Sequence, residues 1–167
     1  TPLKSHWEPS EEIFGFEKEN AHPRYRDAGE ARDSGDYDAF VFTEMVEIEA
    51  AVEYFDSWDY AERWVARARA GRPDIRVYLY ETWHEVTDPK GWLNRLDNDL
   101  GQYWEGEIID RVMAMEDPPQ PIYVIPGGQV FARFVRELET RGGVGGLSRA
   151  EDLFLTDAQG KLDPIHV

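Results

Sequence analysis

The sequence predicts an α/β domain with a mainly parallel sheet covered by helices, and three observations carry that reading. Three short apolar runs of β-forming residues recur along the chain, each bounded by charged or turn residues. Long stretches with helical spacing of apolar residues separate them, the alternation expected of βαβ units. The 167 residues are 41% hydrophobic, with six Trp, eight Tyr and eight Phe, enough apolar surface for one sizeable core.

Residues 1 to 38 show neither a helical nor a strand period and read as an irregular, loop-rich segment with short helical pieces. From Ala39 to Thr43 the chain reads as a buried parallel strand. Residues 59 to 70 then place Tyr60, Trp64, Val65 and Ala68 on one stripe, with Gly71 and Pro73 as the stop, which predicts a helix. A second strand is predicted over Ile75–Tyr80, closed by Glu81-Thr82-Trp83-His84. A long helix is predicted from about Leu93 to Met115 on the spacing of Leu96, Leu100, Tyr103, Trp104, Ile108, Val112 and Met115. Ile122–Ile125 gives a third strand before the turn at Pro126-Gly127-Gly128. The last helix, roughly Gln129 to Thr140, is expected to carry Val130, Phe131, Phe134, Val135 and Leu138 inward. The glycines from Gly142 to Gly146 end it and form a hinge toward the C-terminal stretch. Thus 1–167 reads as a single domain with its βα core over 39–167 and no internal repeats. Three strands are few for such a sheet, so at least one strand and one helix are expected to be missing on the N-terminal side.

Charge and composition exclude several classes of function. Lys and Arg total 18 against 34 Asp and Glu, and the net charge of -16 repels phosphate backbones, so nucleic acid is not an expected partner. No apolar run of about 18 residues is available to span a bilayer. Without cysteine there are no disulfides, thiolate metal sites or Cys nucleophile, which fits either redox compartment; the expectation leans to a bacterial periplasmic or secreted protein. No cofactor or metal is expected. His84 has no metal-ligand spacing around it and reads as an ordinary exposed histidine, and the glycine run follows a helix and lacks a Lys-Ser/Thr, so it is no phosphate loop.

In open parallel sheets, functional groups collect at the carboxyl ends of the strands. Here those ends are Thr43-Glu44-Met45, Glu81-Thr82-Trp83-His84 and Pro126-Gly127-Gly128-Gln129. To them the C-terminus adds Asp163-Pro164-Ile165-His166. An Asp and a His three residues apart can share one turn of chain, so that the carboxylate accepts a hydrogen bond from Nδ1–H and leaves Nε2 as a general base. On this terminal D-x-x-H, and on the order strand, helix, strand, long helix, strand, helix from Tyr37 to His166, the chain resembles the SGNH/GDSL hydrolase family.

The resemblance implies a three-layer α/β/α sandwich of flavodoxin-like type. It also implies His166 as general base, Asp163 as its orienting carboxylate, and a small-molecule or carbohydrate ester as substrate. In that family the nucleophile is a serine in a Gly-Asp-Ser-like turn. Ser5, Ser10, Ser34, Ser57 and Ser148 have no such setting, so the nucleophile is expected outside these residues. The family's Gly-x-Asn-Asp oxyanion block is replaced by Thr43 and Glu44, which leaves backbone N–H groups as the oxyanion donors. Thr43, Glu44, Glu81, Thr82 and Trp83 would line the pocket, with Gln129 at its rim.

Two other readings stay open. Glu44 and Glu81 could act as the acid and nucleophile of a glycosidase, with Trp83, Trp92 and Trp104 stacking on sugars, or each could order a loop by accepting backbone N–H bonds. A non-catalytic α/β binding module with an aromatic groove is the third reading.

Overall fold

The computed structural model describes residues 1–7 and 28–154. Its three strands, β1 (Ala39–Phe42), β2 (Arg76–Glu81) and β3 (Ile122–Pro126), form an open, all-parallel sheet in the order β1-β2-β3. The molecule therefore has the mixed α/β architecture that the alternating pattern predicts. In register, Phe40, Val77 and Ile122 lie side by side, as do Phe42, Leu79 and Val124, so these six share one face. Val41, Tyr78 and Tyr123 lie on the other.

The first face carries the main core. Helix α4 (Ser57–Gly71), in the connection from β1 to β2, places Tyr60, Ala61, Val65 and Ala68 in one buried cluster with Val77 and Leu79. Between β2 and β3 the chain runs through α5 (Trp92–Asp99), a π-helical segment (Leu100–Ile109) and α6 (Asp110–Ala114). Trp104, Ile108, Ile109 and Val112 from this stretch join the same cluster. Both crossovers step across the sheet in the same direction, and right-handed crossovers that do so lay their helices on the same face. Consequently, among the described residues, Val41 and Tyr123 on the opposite face stay exposed.

Local differences from the sequence-based expectation have local causes. The long helix is continuous, but its middle is wound more loosely; the Asp110 N–H reaches the Glu105 carbonyl five residues back. Met115, expected on the buried stripe, is exposed beyond the end of α6. Short helices α1 (Leu3–Trp7) and α2 (Ala28–Asp33) flank α4, and α3 (Ile48–Tyr54) follows the end of β1. Trp7 meets Trp64 edge to face at 5.2 Å, and the Trp64 indole N–H donates to the Leu3 carbonyl, which fastens α1 to α4. Arg69, buried near the end of α4, pairs with Glu116 and donates to the Pro121 carbonyl at 3.2 Å, tying α4 to the start of β3.

Helix α7 (Gly127–Thr140) buries Ala132, Val135 and Leu138, of which Ala132 and Val135 join a second, smaller cluster with Trp92 and Leu96 of α5. Val130 and Phe134, expected inward, are 64% and 50% exposed. They overhang an apolar cleft instead, for reasons that belong to the site.

Candidate functional site at the carboxyl edge of the sheet

The three strand ends predicted to carry chemistry do meet at one edge, and two buried glutamates organise them. Glu44, two residues past β1, is 2% exposed. Its Oε1 accepts the Leu3 N–H at 3.1 Å and the Ser57 hydroxyl at 3.0 Å, and its Oε2 accepts the Met45 N–H. One carboxylate thus joins α1, the end of β1 and the first residue of α4. Burial pushes the Glu44 carboxyl up from its ordinary value, and the three donors oppose that rise.

Glu81, the last residue of β2, is 0% exposed. It accepts the backbone N–H of Gln129 at 3.1 Å and the Gln129 side-chain amide at 3.0 Å, together with the Gly128 N–H. The same Gln129 amide nitrogen donates to the Leu96 carbonyl at 2.8 Å. A carboxylate that meets the first N–H groups of α7 satisfies donors that have no partner inside the helix and complements its dipole. The bond requires α7 to start directly against the end of β2. A Cβ on Gly128 would lie 2.5 Å from the Thr82 carbonyl oxygen and 2.8 Å from Leu96 Cδ2, and one on Gly127 would lie 2.6 Å from the Tyr80 ring. Glycine is needed at both positions for this close approach. Gly128→Ala is therefore expected to cost about 1–3 kcal/mol, the usual range for overpacking a filled site, as read from urea unfolding.

Burial also pushes the Glu81 carboxyl up, against the pull of the Gln129 and Gly128 donors. A carboxyl whose pKa is higher folded than unfolded binds its proton more tightly in the folded state. Its contribution is fully present below the unfolded value and is lost as pH rises through the folded one. Glu81→Gln removes that contribution, so the stability lost on this substitution is expected to be larger at pH 5 than at pH 7. Urea midpoints of both proteins at the two pH values check the sign.

The remaining predicted pocket residues divide between solvent and interior. Thr43 is exposed, and its hydroxyl donates to the Tyr80 carbonyl at 2.7 Å, just past the last paired residues of β1 and β2. Trp83 is half-buried, with its ring 4.9 Å from Phe131. Thr82 Oγ1 is buried with no hydrogen-bond partner among the described residues. Gln129 is committed to Glu81 and Leu96 rather than to a rim. Trp92 and Trp104 are buried core residues, as their helical spacing favours.

Beside these groups lies an apolar cleft of about 520 Å³, lined by Tyr80, Ile125, Pro126, Val130, Phe131 and Phe134. The exposed Val130 and Phe134 project from the side of α7 that forms its wall. Phe154, the last described residue, packs edge to face on Phe131 at 5.7 Å and so brings the chain back to this part of the molecule. Asp163 and His166 lie outside the described residues.

His84 departs most from its sequence reading, being 2% exposed and bonded through Nε2 to Asp99 Oδ2 at 2.8 Å. No local signal marks it, because Asp99 lies 15 residues away and on α5. Among the described residues no helix is long and apolar enough to cross a membrane. No family model matches the chain, and neither does any curated protein or solved structure, so a functional reading rests on the groups gathered at this edge.

Proposed function

We propose that this chain supplies the acid and base members of a serine ester hydrolase of SGNH-like type, acting on an acyl or acetyl ester of a lipid or carbohydrate. His166 serves as general base and Asp163 orients it, while the attacking serine comes from outside Thr1–Val167. The observation that carries the reading is the parallel sheet with an apolar cleft beside its carboxyl edge. That edge is where such sheets hold their ligands, and an apolar trough with few polar groups suits an acyl chain. Phe154 supports it further. It ends nine residues before Asp163, and a chain of that length reaches at most about 30 Å, enough to return the Asp/His pair to the same edge.

The glycosidase reading loses its chemical basis here. Glu44 and Glu81 are buried and held by internal donors, so neither carboxylate faces a substrate. Each fits the loop-ordering role instead.

The test is hydrolysis of p-nitrophenyl acetate. Residues 1–167 alone are expected to give no turnover above buffer, whereas the full-length gene product is expected to turn the ester over. Turnover by residues 1–167 that disappears in His166→Ala would place the nucleophile among them and overturn this assignment of the serine.

A further inference from the structure

Between the loop after β1 and the loop after β2 lies a cluster of ionisable side chains that the hydrolase reading does not use. It consists of Glu47, His84, Asp88, Arg95 and Asp99. His84 Nε2 lies 2.8 Å from Asp99 Oδ2, and in the tautomer whose Nε2–H donates a hydrogen bond to that carboxylate the ring's lone pair is on Nδ1. Nδ1 is buried and has no hydrogen-bond partner among the described residues. It faces Glu47 Oε1 at 3.7 Å, and one oxygen each from Glu47 and Asp88 lies with a ring nitrogen of His84 inside a span of 4.8 Å.

Three electron-pair donors therefore converge: both carboxylates accept from Arg95, and Asp88 also accepts the Lys90 N–H at 2.8 Å, while the buried Nδ1 of His84 has no partner of its own among the described residues. Arg95 Nη2 donates to Glu47 at 2.9 Å, its Nη1 pairs with Asp88, and its Nε lies 3.8 Å from Asp99. Although burial works against it, these bonds hold the guanidinium charged. Three carboxylates stand against one guanidinium, an excess of two that matches the charge of a divalent cation.

We propose that Glu47, His84 Nδ1 and Asp88 bind a divalent cation of the zinc class, with Asp99 holding the imidazole from behind. An imidazole with two carboxylates favours Zn²⁺ over Mg²⁺ or Ca²⁺, which prefer all-oxygen sites. The Asp99–His84 bond is the outer partner that metal-ligating histidines commonly have. Ligand distances of about 2.0–2.2 Å put tetrahedral ligand atoms roughly 3.3–3.6 Å apart. The present spacing of 3.7 to 4.8 Å thus has to close by about 1 Å. Glu47 is 48% exposed and gives the ion its way in. Each carboxylate has lone pairs enough to keep Arg95 while it ligates. Binding would clamp the β1–α3 loop to the β2–α5 loop at the carboxyl edge, whether or not the chain is a hydrolase.

The test is titration of the chain with ZnCl₂ at neutral pH, read by calorimetry and by the ¹⁵N resonances of His84. The expected result is saturable binding that moves the Nδ1 resonance and leaves the proton on Nε2. Glu47→Gln and Asp88→Asn are each expected to weaken binding at least tenfold, and Asp99→Asn by about 10- to 100-fold. Glu47 is solvent-accessible, so its variant is expected to fold even where a substitution at the buried His84 would not. His6, His22 and His166 can also take zinc, and the resonance assignment separates them from His84. No binding, binding that leaves the His84 resonances unmoved, or a doubly protonated His84 in the presence of zinc would each overturn the proposal.

Discussion

Replacing His166 with alanine in the full-length gene product is expected to lower kcat/KM for p-nitrophenyl acetate by about 10⁴-fold. The physical basis is proton transfer. A serine hydroxyl is a weak nucleophile until a base takes its proton, and the same imidazole then protonates the leaving alcohol. Asp163→Asn is expected to fall nearly as far, by about 10³- to 10⁴-fold, because an amide stabilises the wrong tautomer of the imidazole. The loss should lie in kcat, since neither residue is assigned to ground-state binding of the ester. Wild-type turnover in His166→Ala would remove the base from the mechanism.

The second large effect concerns stability and centres on Glu81. Glu81→Ala takes away the acceptor for the Gln129 N–H, the Gln129 side-chain amide and the Gly128 N–H, in a place that water does not reach. Unsatisfied buried donors cost about 1–3 kcal/mol each, and the cavity left behind adds to this. The release of the charge burial that raises the Glu81 carboxyl offsets a part. A net loss of about 3–5 kcal/mol is expected, read as a lower urea midpoint with an unchanged slope. Such a loss is a large share of the stability of a domain this size. It should also loosen the start of α7, and with it the wall of the apolar cleft formed by Val130, Phe131 and Phe134. If Glu81→Ala unfolded at the wild-type midpoint, the glutamate would not be the tie between β2 and α7 that its bonds describe.

How much of this was legible before the structure depends on the range over which each feature is encoded. The strands were legible because β-branched and aromatic residues run together at Ala39–Phe42, Val77–Tyr80 and Ile122–Ile125, and α4 because its apolar stripe repeats over four turns. Helix α3 was not. Its seven residues are too few for a period to stand out, and it is held by Ile48 and Ala51 in the core rather than by propensity. The loosened winding of Leu100–Ile109 likewise has no signature in a stretch whose apolar spacing still passes for a helix.

At the site, the strand ends were located from sequence alone, because topology places functional groups there. The use made of them was not legible. Glu81 meets Gln129 across 48 residues, and His84 meets Asp99, Glu47 and Asp88 from two loops and a helix, so no window of sequence contains either arrangement. Val130 and Phe134 show the converse. Both fit an inward helical stripe, yet they face a cleft, because one face of α7 closes against α5 and the next overhangs Tyr80 and Ile125.

The claim that this chain carries the Asp/His half of a serine hydrolase is tested most directly by labelling the full-length gene product with a fluorophosphonate and mapping the modified residue by peptide mass spectrometry. The account predicts labelling of one serine outside Thr1–Val167 in a Gly-Asp-Ser-like turn, abolished in His166→Ala. No labelling, or labelling that His166→Ala leaves intact, would contradict it and leave an α/β binding module as the better description.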